Sequence, residues 1–163
     1  NKGGVKIREF FAVIFLTKIL TDCDPNHLDY RSPCGAAIGQ LAYNYDGSVY
    51  TCDEGRMFAV EDDNTFLLGS VYENTFKELV SGETAHAMCD ASFLENIPGC
   101  HDCAYSPYCG VCPIYNYSQQ GSIIGQMPSN DRCKINKAIL DHLFKLLQKK
   151  DVRALLEQWL IEK

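Results

Sequence analysis

The sequence predicts an α+β fold, a small cysteine-rich domain that combines a β-hairpin with helices and irregular loops and is followed by C-terminal helices. Three observations carry this expectation. Nine cysteines fall among 163 residues. An Asp46-Gly47 dipeptide lies between short aromatic and β-branched runs, and apolar residues recur at helical intervals at both ends of the chain. At this length, with 46% apolar residues, one hydrophobic core is enough.

Residues 5–20 (VKIREFFAVIFLTKIL) place Ile7, Phe10, Phe11, Ile14, Phe15 and Leu16 three and four positions apart, the pattern of a helix with one broad apolar face. Residues 22–33 hold two prolines among small polar residues and read as a linker or ordered loop. The helix before them is therefore expected to close a preceding domain, with residues 1–22 as its last element. In GQLAYNYDGSVYT (39–51) the Asp-Gly pair predicts a hairpin with a two-residue type I′ turn, since Gly tolerates positive φ, and leaves Cys52 at the end of the second strand. A further extended piece is expected at 65–71, a helix at 74–80 capped by Asn74, and another at 83–94. Residues 98–128 carry four cysteines, four prolines and four glycines. Such a stretch buries little apolar surface, so something other than a core must hold it. Ile135, Ile139, Leu143, Leu146 and Leu147 then mark an amphipathic helix. An Asp151 cap opens a second one, with Val152, Leu155, Leu156, Trp159 and Leu160 on its buried side, so that 136–163 is expected to be a helical hairpin.

The net charge of −6 and the lack of any run of five basic residues argue against a nucleic-acid partner. The longest apolar run, residues 10–16, is far short of the roughly 20 residues that span a bilayer, so no membrane partner is expected. An odd number of cysteines and no signal peptide point to the reduced cytoplasm, where closely spaced cysteines signify metal. The chain opens on Asn1 and is expected to be a piece of something longer.

The centre of the cysteine signal is Cys100-His-Asp-Cys103-Ala-Tyr-Ser-Pro-Tyr-Cys109-Gly-Val-Cys112-Pro113, or C-x2-C-x5-C-x2-C-P. Two residues between cysteines let both sulfurs face one metal centre while the intervening N–H groups point at them. Cys133 follows, and Cys34 and Cys52 lie far upstream. Seven candidate thiolates imply two centres, around which the hairpin, helices and loops would wrap. Cys23, in an acidic loop away from other thiols, reads as an ordinary cysteine. Four thiolates serve zinc or iron with sulfide alike. Cys112 followed by proline tilts the choice toward iron–sulfur, because in two-cluster ferredoxins the cysteine before proline ligates the other cluster. The alternative is a zinc-binding structural or interaction domain on Cys100, Cys103, Cys109 and either Cys112 or Cys133.

The ordered set Cys34, Gly47-x4-Cys52, Cys100, Cys103, Cys109, Cys112 and Cys133 resembles the SPASM domain at the C-terminus of radical SAM peptide and protein maturases, such as the anaerobic sulfatase-maturating enzymes. The resemblance spans about residues 34–135 within an expected domain of 23–135. The stretches REFF, YNYDG-x-VY, DE-x-R-M and PYCG are most similar to maturases of the His-Xaa-Ser peptide system, whereas the fuller cysteine complement points to a neighbouring branch. The resemblance implies two auxiliary [4Fe–4S] clusters. One is on Cys100, Cys103, Cys109 and Cys133, the other on Cys34, Cys52 and Cys112, with Cys89 as the best substitute for the fourth ligand and a site left open to substrate as the alternative. Zinc is the alternative occupant of a chain made in air. The sequence departs from the family in the two residues, not three, between Cys109 and Cys112, and in having no cysteine between Cys34 and Cys52. It also lacks C-x3-C-x2-C, the motif that leaves one iron free for S-adenosylmethionine. The radical would thus arise on a partner barrel, whose last helix residues 1–22 would supply. The implied parent is an oxidoreductase acting on a ribosomal peptide or protein, and this chain a binding and electron-transfer module with no catalytic side chain of its own.

Among other polar residues, His101 is expected to tune a nearby cluster, and His27, His86 and His142 to be ordinary surface or boundary histidines. Asp53, Glu54 and Arg56 beside Cys52 suit either a solvated turn or a group that orients a substrate. Tyr43, Tyr45, Tyr50, Tyr105, Tyr108, Tyr115 and Tyr117 are expected to wall the centres from water.

Overall fold

The computed structural model describes residues 7–161, so the first two residues of the expected 5–20 helix and the last two of the expected 136–163 hairpin lie outside the described residues. Three long helices form one end of the molecule. Helix α1 (Phe10–Leu20) starts where the Glu9 carboxylate accepts hydrogen bonds from the Phe11 and Ala12 amides. It buries Ile14, Phe15 and Leu16 against Leu140 and Leu143 of a helix at Asp131–Leu147 and Leu156 of another at Lys150–Ile161. The buried face of the Asp131–Leu147 helix is Leu140 and Leu143, while Ile135, expected inside, is 56% exposed.

Residues 22–33 form an ordered loop tied into this core. Tyr30 packs edge-on to Phe15, with ring centroids 4.9 Å apart, and the Lys18 ammonium donates to the carbonyls of Tyr30 (2.6 Å) and Cys109 (3.2 Å). The helical end is thereby joined to the cysteine-bearing loops.

At the other end, strands β1 (Ala42–Tyr43), β2 (Ser48–Tyr50) and β3 (Leu67–Ser70) form an antiparallel sheet in that order. Tyr43 pairs with Val49, and the Asn44 amide donates to the Ser48 carbonyl. The turn is therefore a three-residue loop, not the expected two-residue type I′ turn. The reason is conformational: within it only Gly47 takes a positive φ (88°), and the Gly47 amide closes a β-turn on the Asn44 carbonyl. The expected extended piece at 65–71 is β3, which completes the sheet.

Short helices follow. Helix α2 (Asp53–Phe58) begins at Cys52, whose sulfur accepts the Gly55 amide, so residues 53–56 are helix and not a turn. Helix α3 (Phe76–Ser81) is capped by Thr75 in a capping box with Glu78. Asn74, expected as the cap, instead accepts the Ser70 amide at the end of β3. Helix α4 (Glu83–Asp90) ends four residues before the expected Leu94, which starts a 3-10 turn. Helix α5 (Pro113–Gln120) has no forewarning in the periodicity. It starts from Cys112, whose sulfur accepts the Tyr115 amide, with Pro113 as its first residue and Gly121 in the left-handed conformation behind it. The two long C-terminal helices are α6 (Asp131–Leu147), capped by Asn130, and α7 (Lys150–Ile161).

Candidate metal centres

Seven of the nine cysteines, in two groups, line two cavities at the junction of these ends. In the first, Cys34, Cys52 and Cys112 are buried together with Ala36, Phe66, Met88 and Ile114. All three line one small cavity, which Asp29, Gln40 and Glu54 also face. Each thiol is held by a different local device. Cys34 follows the 22–33 loop and donates its amide to Ser92 Oγ at 3.0 Å, while Cys52 and Cys112 sit at the N-termini of α2 and α5 and accept amide hydrogens there at 3.4 Å. Cys89, near the end of α4, is linked to Cys34 through Ser92, which accepts the Cys34 amide and whose hydroxyl donates to the Cys89 carbonyl. It is half-buried and is not among the residues lining the cavity.

In the second group, Cys100, Cys103, Cys109 and Cys133 line a larger and mostly apolar cavity with Leu94, Val111, Met127 and Leu140. The C-x2-C turn brings in Cys100 and Cys103, the next 3-10 turn delivers Cys109, and the first turn of α6 supplies Cys133. The Asn136 amide group donates to Cys109 Sγ at 3.6 Å. Cys112 lines this cavity as well as the first, so the two share a wall.

Among the described residues, no three His, Cys, Asp or Glu side chains converge tightly enough to hold a single ion. A cluster differs from an ion in that its thiolates bind separate irons, so sulfurs spread around a cavity fit it. Its sulfurs also want nearby N–H donors, which Gly55, Tyr115 and Asn136 provide. The donor set of both groups fits an iron–sulfur cluster.

Burial pushes the thiols of Cys52 and Cys100 up to about 12 and that of Cys112 up to about 11, and it raises Cys34, Cys89 and Cys133 as well. Metal must therefore displace thiol protons on binding. For the metal-free chain the sign is set by the folded state holding protons to higher pH than the ordinary thiol value of 9.0. The contribution to stability is complete below about pH 9 and is lost as the pH rises toward about 12. We expect the urea midpoint of metal-free protein to fall between about pH 8 and pH 10. An unchanged midpoint contradicts the burial of these thiols.

Other expected residues fall elsewhere. Tyr43 and Tyr45 are exposed on the hairpin (58% and 97%) and shield neither cavity. Tyr115 and Tyr117 pack on the first group, and Tyr105 lines the second cavity as expected while stacking on Phe144 of α6 and donating its hydroxyl to Asp141; Tyr108 packs against Phe144. Tyr50 is buried in β2 and contacts Asn64. His101 is solvent-facing and pairs with Asp102, His86 and His142 are exposed, and His27 stacks on Tyr30. Cys23 is exposed. Arg56 pairs with Asp53 at 2.8 Å. Sequence reasoning missed Asp29, Arg132, Asn136 and Lys137, all of which face a cavity. Only the position of Arg132 next to Cys133 was a local signal for any of them.

Residues 34–104 match the family model of SPASM, an iron-sulfur cluster-binding domain. That segment contains Cys34, Cys52, Cys89, Cys100 and Cys103, whereas Cys109, Cys112 and Cys133 lie beyond it. No curated protein matches the sequence significantly. Among solved structures, the anaerobic sulfatase-maturating enzyme anSMEcpe in its native form with bound AdoMet is similar at 22% identity and a TM-score of 0.66, over 95% of this chain and 38% of that one. The hexahistidine-tagged form with AdoMet gives 24% and 0.57 over 90% and 37%. The native form with AdoMet and the Cp18Cys peptide gives 22% and 0.59 over 91% and 36%. The chain thus spans little more than a third of the length of these structures and shares its fold with that portion of them. No described helix is long and apolar enough to cross a membrane. Residues 34–104 thus resemble a SPASM iron-sulfur cluster-binding domain, and the chain shares its fold with part of the anSMEcpe structures.

Proposed function

We propose that this chain is the auxiliary cluster domain of a cytoplasmic radical SAM oxidoreductase that modifies a ribosomal peptide or protein. It would bind two [4Fe–4S] clusters, one on Cys34, Cys52, Cys112 and Cys89, the other on Cys100, Cys103, Cys109 and Cys133. The observation that supports this reading most is that cysteines spread over about 100 positions of sequence line two adjoining cavities with Cys112 in the shared wall. When bound, such clusters supply one-electron storage.

The chain's own residues then have distinct tasks. The thiolates anchor the irons, the Gly55 and Tyr115 amides and the Asn136 side chain stabilise negative charge on sulfur, and Phe66, Met88, Val111 and Met127 keep water out. A wide cleft beside the end of α1 is lined by Lys18, Asp24, Arg31, Cys34, Glu95 and Cys109. It reaches one cysteine of each group, and its mixed charges suit a peptide backbone with polar side chains. Residues 1–22 would connect the domain to the radical SAM barrel, in keeping with the AdoMet and peptide present in the similar structures.

Reductive titration of the anaerobically reconstituted chain tests the electron-storage role, with two one-electron reductions expected. A chain that loads iron and sulfide but takes up no electrons contradicts it. Cys89→Ser tests the fourth ligand of the first cluster. The expected result is a changed spectrum and partial loss of iron, and wild-type iron, sulfide and absorbance remove Cys89 from the ligand set.

A further inference from the structure

Arg132 opens the question of what separates the two centres. It stands in the first turn of α6, immediately before Cys133, and lines the second cavity with Cys100, Cys103 and Cys109. Its guanidinium donates to Asp29 Oδ2 at 3.0 Å and lies over two aromatic rings, 5.4 Å from the Tyr30 ring centre and 5.6 Å from that of Tyr115. The side chain is only 20% exposed. Asp29, its partner, faces the first cavity with Cys34, Cys52 and Cys112. One ion pair thus spans the partition, with its anion on one cavity and its cation on the other. Cys112 belongs to both walls.

A largely enclosed cation in this place acts on whatever charge its neighbours carry. Reduction adds one negative charge to a cluster, so a nearby fixed cation favours the reduced state and a nearby carboxylate opposes it, most strongly where solvent screening is weak. Lys137 also lines the second cavity, but it is exposed and screened. Desolvation works against the charge of Arg132, but the hydrogen bond and charge of Asp29, with Cys112 and Tyr30, more than offset it, so the guanidinium remains protonated. Cation–π contact with two rings, together with the Asp29 hydrogen bond, fixes its position.

We infer that Arg132 is a positioning residue that sets the reduction potentials of both centres, raising them from the partition, while Asp29 opposes it at the Cys34/Cys52/Cys112 centre. This rests on the cluster-binding function proposed above.

The test is an anaerobic redox titration, followed by electron paramagnetic resonance, of the reconstituted 163-residue chain and of Arg132→Gln, Arg132→Lys and Asp29→Asn. Cys52→Ser and Cys100→Ser backgrounds isolate one centre at a time. Arg132→Gln is expected to lower the equilibrium constant for reduction of each centre about tenfold, which is about 59 mV for one electron, and Arg132→Lys to lower it much less. Asp29→Asn is expected to raise the potential of the Cys34/Cys52/Cys112 centre. The two substitutions break the same ion pair, so a purely structural role does not move potentials in opposite directions. Unchanged potentials in fully loaded Arg132→Gln overturn the inference. So do equal shifts in Arg132→Lys and Arg132→Gln, or loss of clusters from both, since charge is then not what matters. A wild-type chain that binds no iron and sulfide fails at the earlier step and removes the cluster reading itself.

Discussion

Replacing Gly110 by alanine is expected to impair metal loading at both centres and to lower the stability of the metal-free chain by about 2 kcal/mol or more. A Cβ at Gly110 would lie 2.5 Å from Tyr30 Cα and 2.6 Å from both the Asp29 carbonyl oxygen and Tyr30 C. All three are backbone atoms, so no side chain can rotate away and the two segments must separate. The segment that moves carries Cys109 of one group and Cys112 of the other. The segment it pushes carries Asp29 and Tyr30, which hold Arg132, with Tyr30 also packed on Phe15. One methyl group therefore disturbs both cavities and the joint between them. Gly121→Ala is the control. Nothing lies within 4 Å of a Cβ there, although its φ of 70° makes the change mildly unfavourable, so about 1 kcal/mol of stability is lost while iron content is kept. Chemical denaturation with iron analysis checks both. Normal loading and stability of Gly110→Ala contradict the close approach.

Cys52→Ser and Cys100→Ser are each expected to remove about half of the bound iron and sulfide and to leave the other half in place, while the double substitution removes all of it. Serine is the informative replacement at Cys52, because the residue caps α2 through its side chain and a hydroxyl performs that task at least as well. The helix is kept and only the thiolate is lost. Cys100 is buried beside Leu94, Ile97 and Val111, so its substitution also carries a packing cost local to that cavity. Independent halves are the signature of two centres. Full loading of either single variant contradicts the two ligand groups, and loss of all iron from one of them shows that the centres do not assemble separately.

The spacing of the cysteines is what made the site legible, because a two-residue gap constrains where neighbouring sulfurs can point. The hairpin was legible for a similar reason, as Gly47 is the residue that accepts a positive φ at the turn. Its loop length was not, since that depends on whether Asp46 also leaves the right-handed region. Helix α5 was hidden because its N-terminal signal is a cysteine before proline, which reads as a metal motif before it reads as a cap. The register of α6 escaped as well. Periodicity admits Ile135 and Leu140 on adjoining faces, and contact with α1 and α7 selects Leu140. The Asp29–Arg132 pair joins residues 103 positions apart and has no signature in any local window.

Two iron–sulfur clusters are expected on the two cysteine groups of this chain. The direct measurement is iron, zinc and acid-labile sulfide per chain, with the visible spectrum, after anaerobic purification and reconstitution. About eight irons and eight sulfides with broad visible absorbance are the predicted result. One tightly held zinc, with no labile sulfide even after reconstitution, contradicts it and makes the chain a zinc-binding interaction domain.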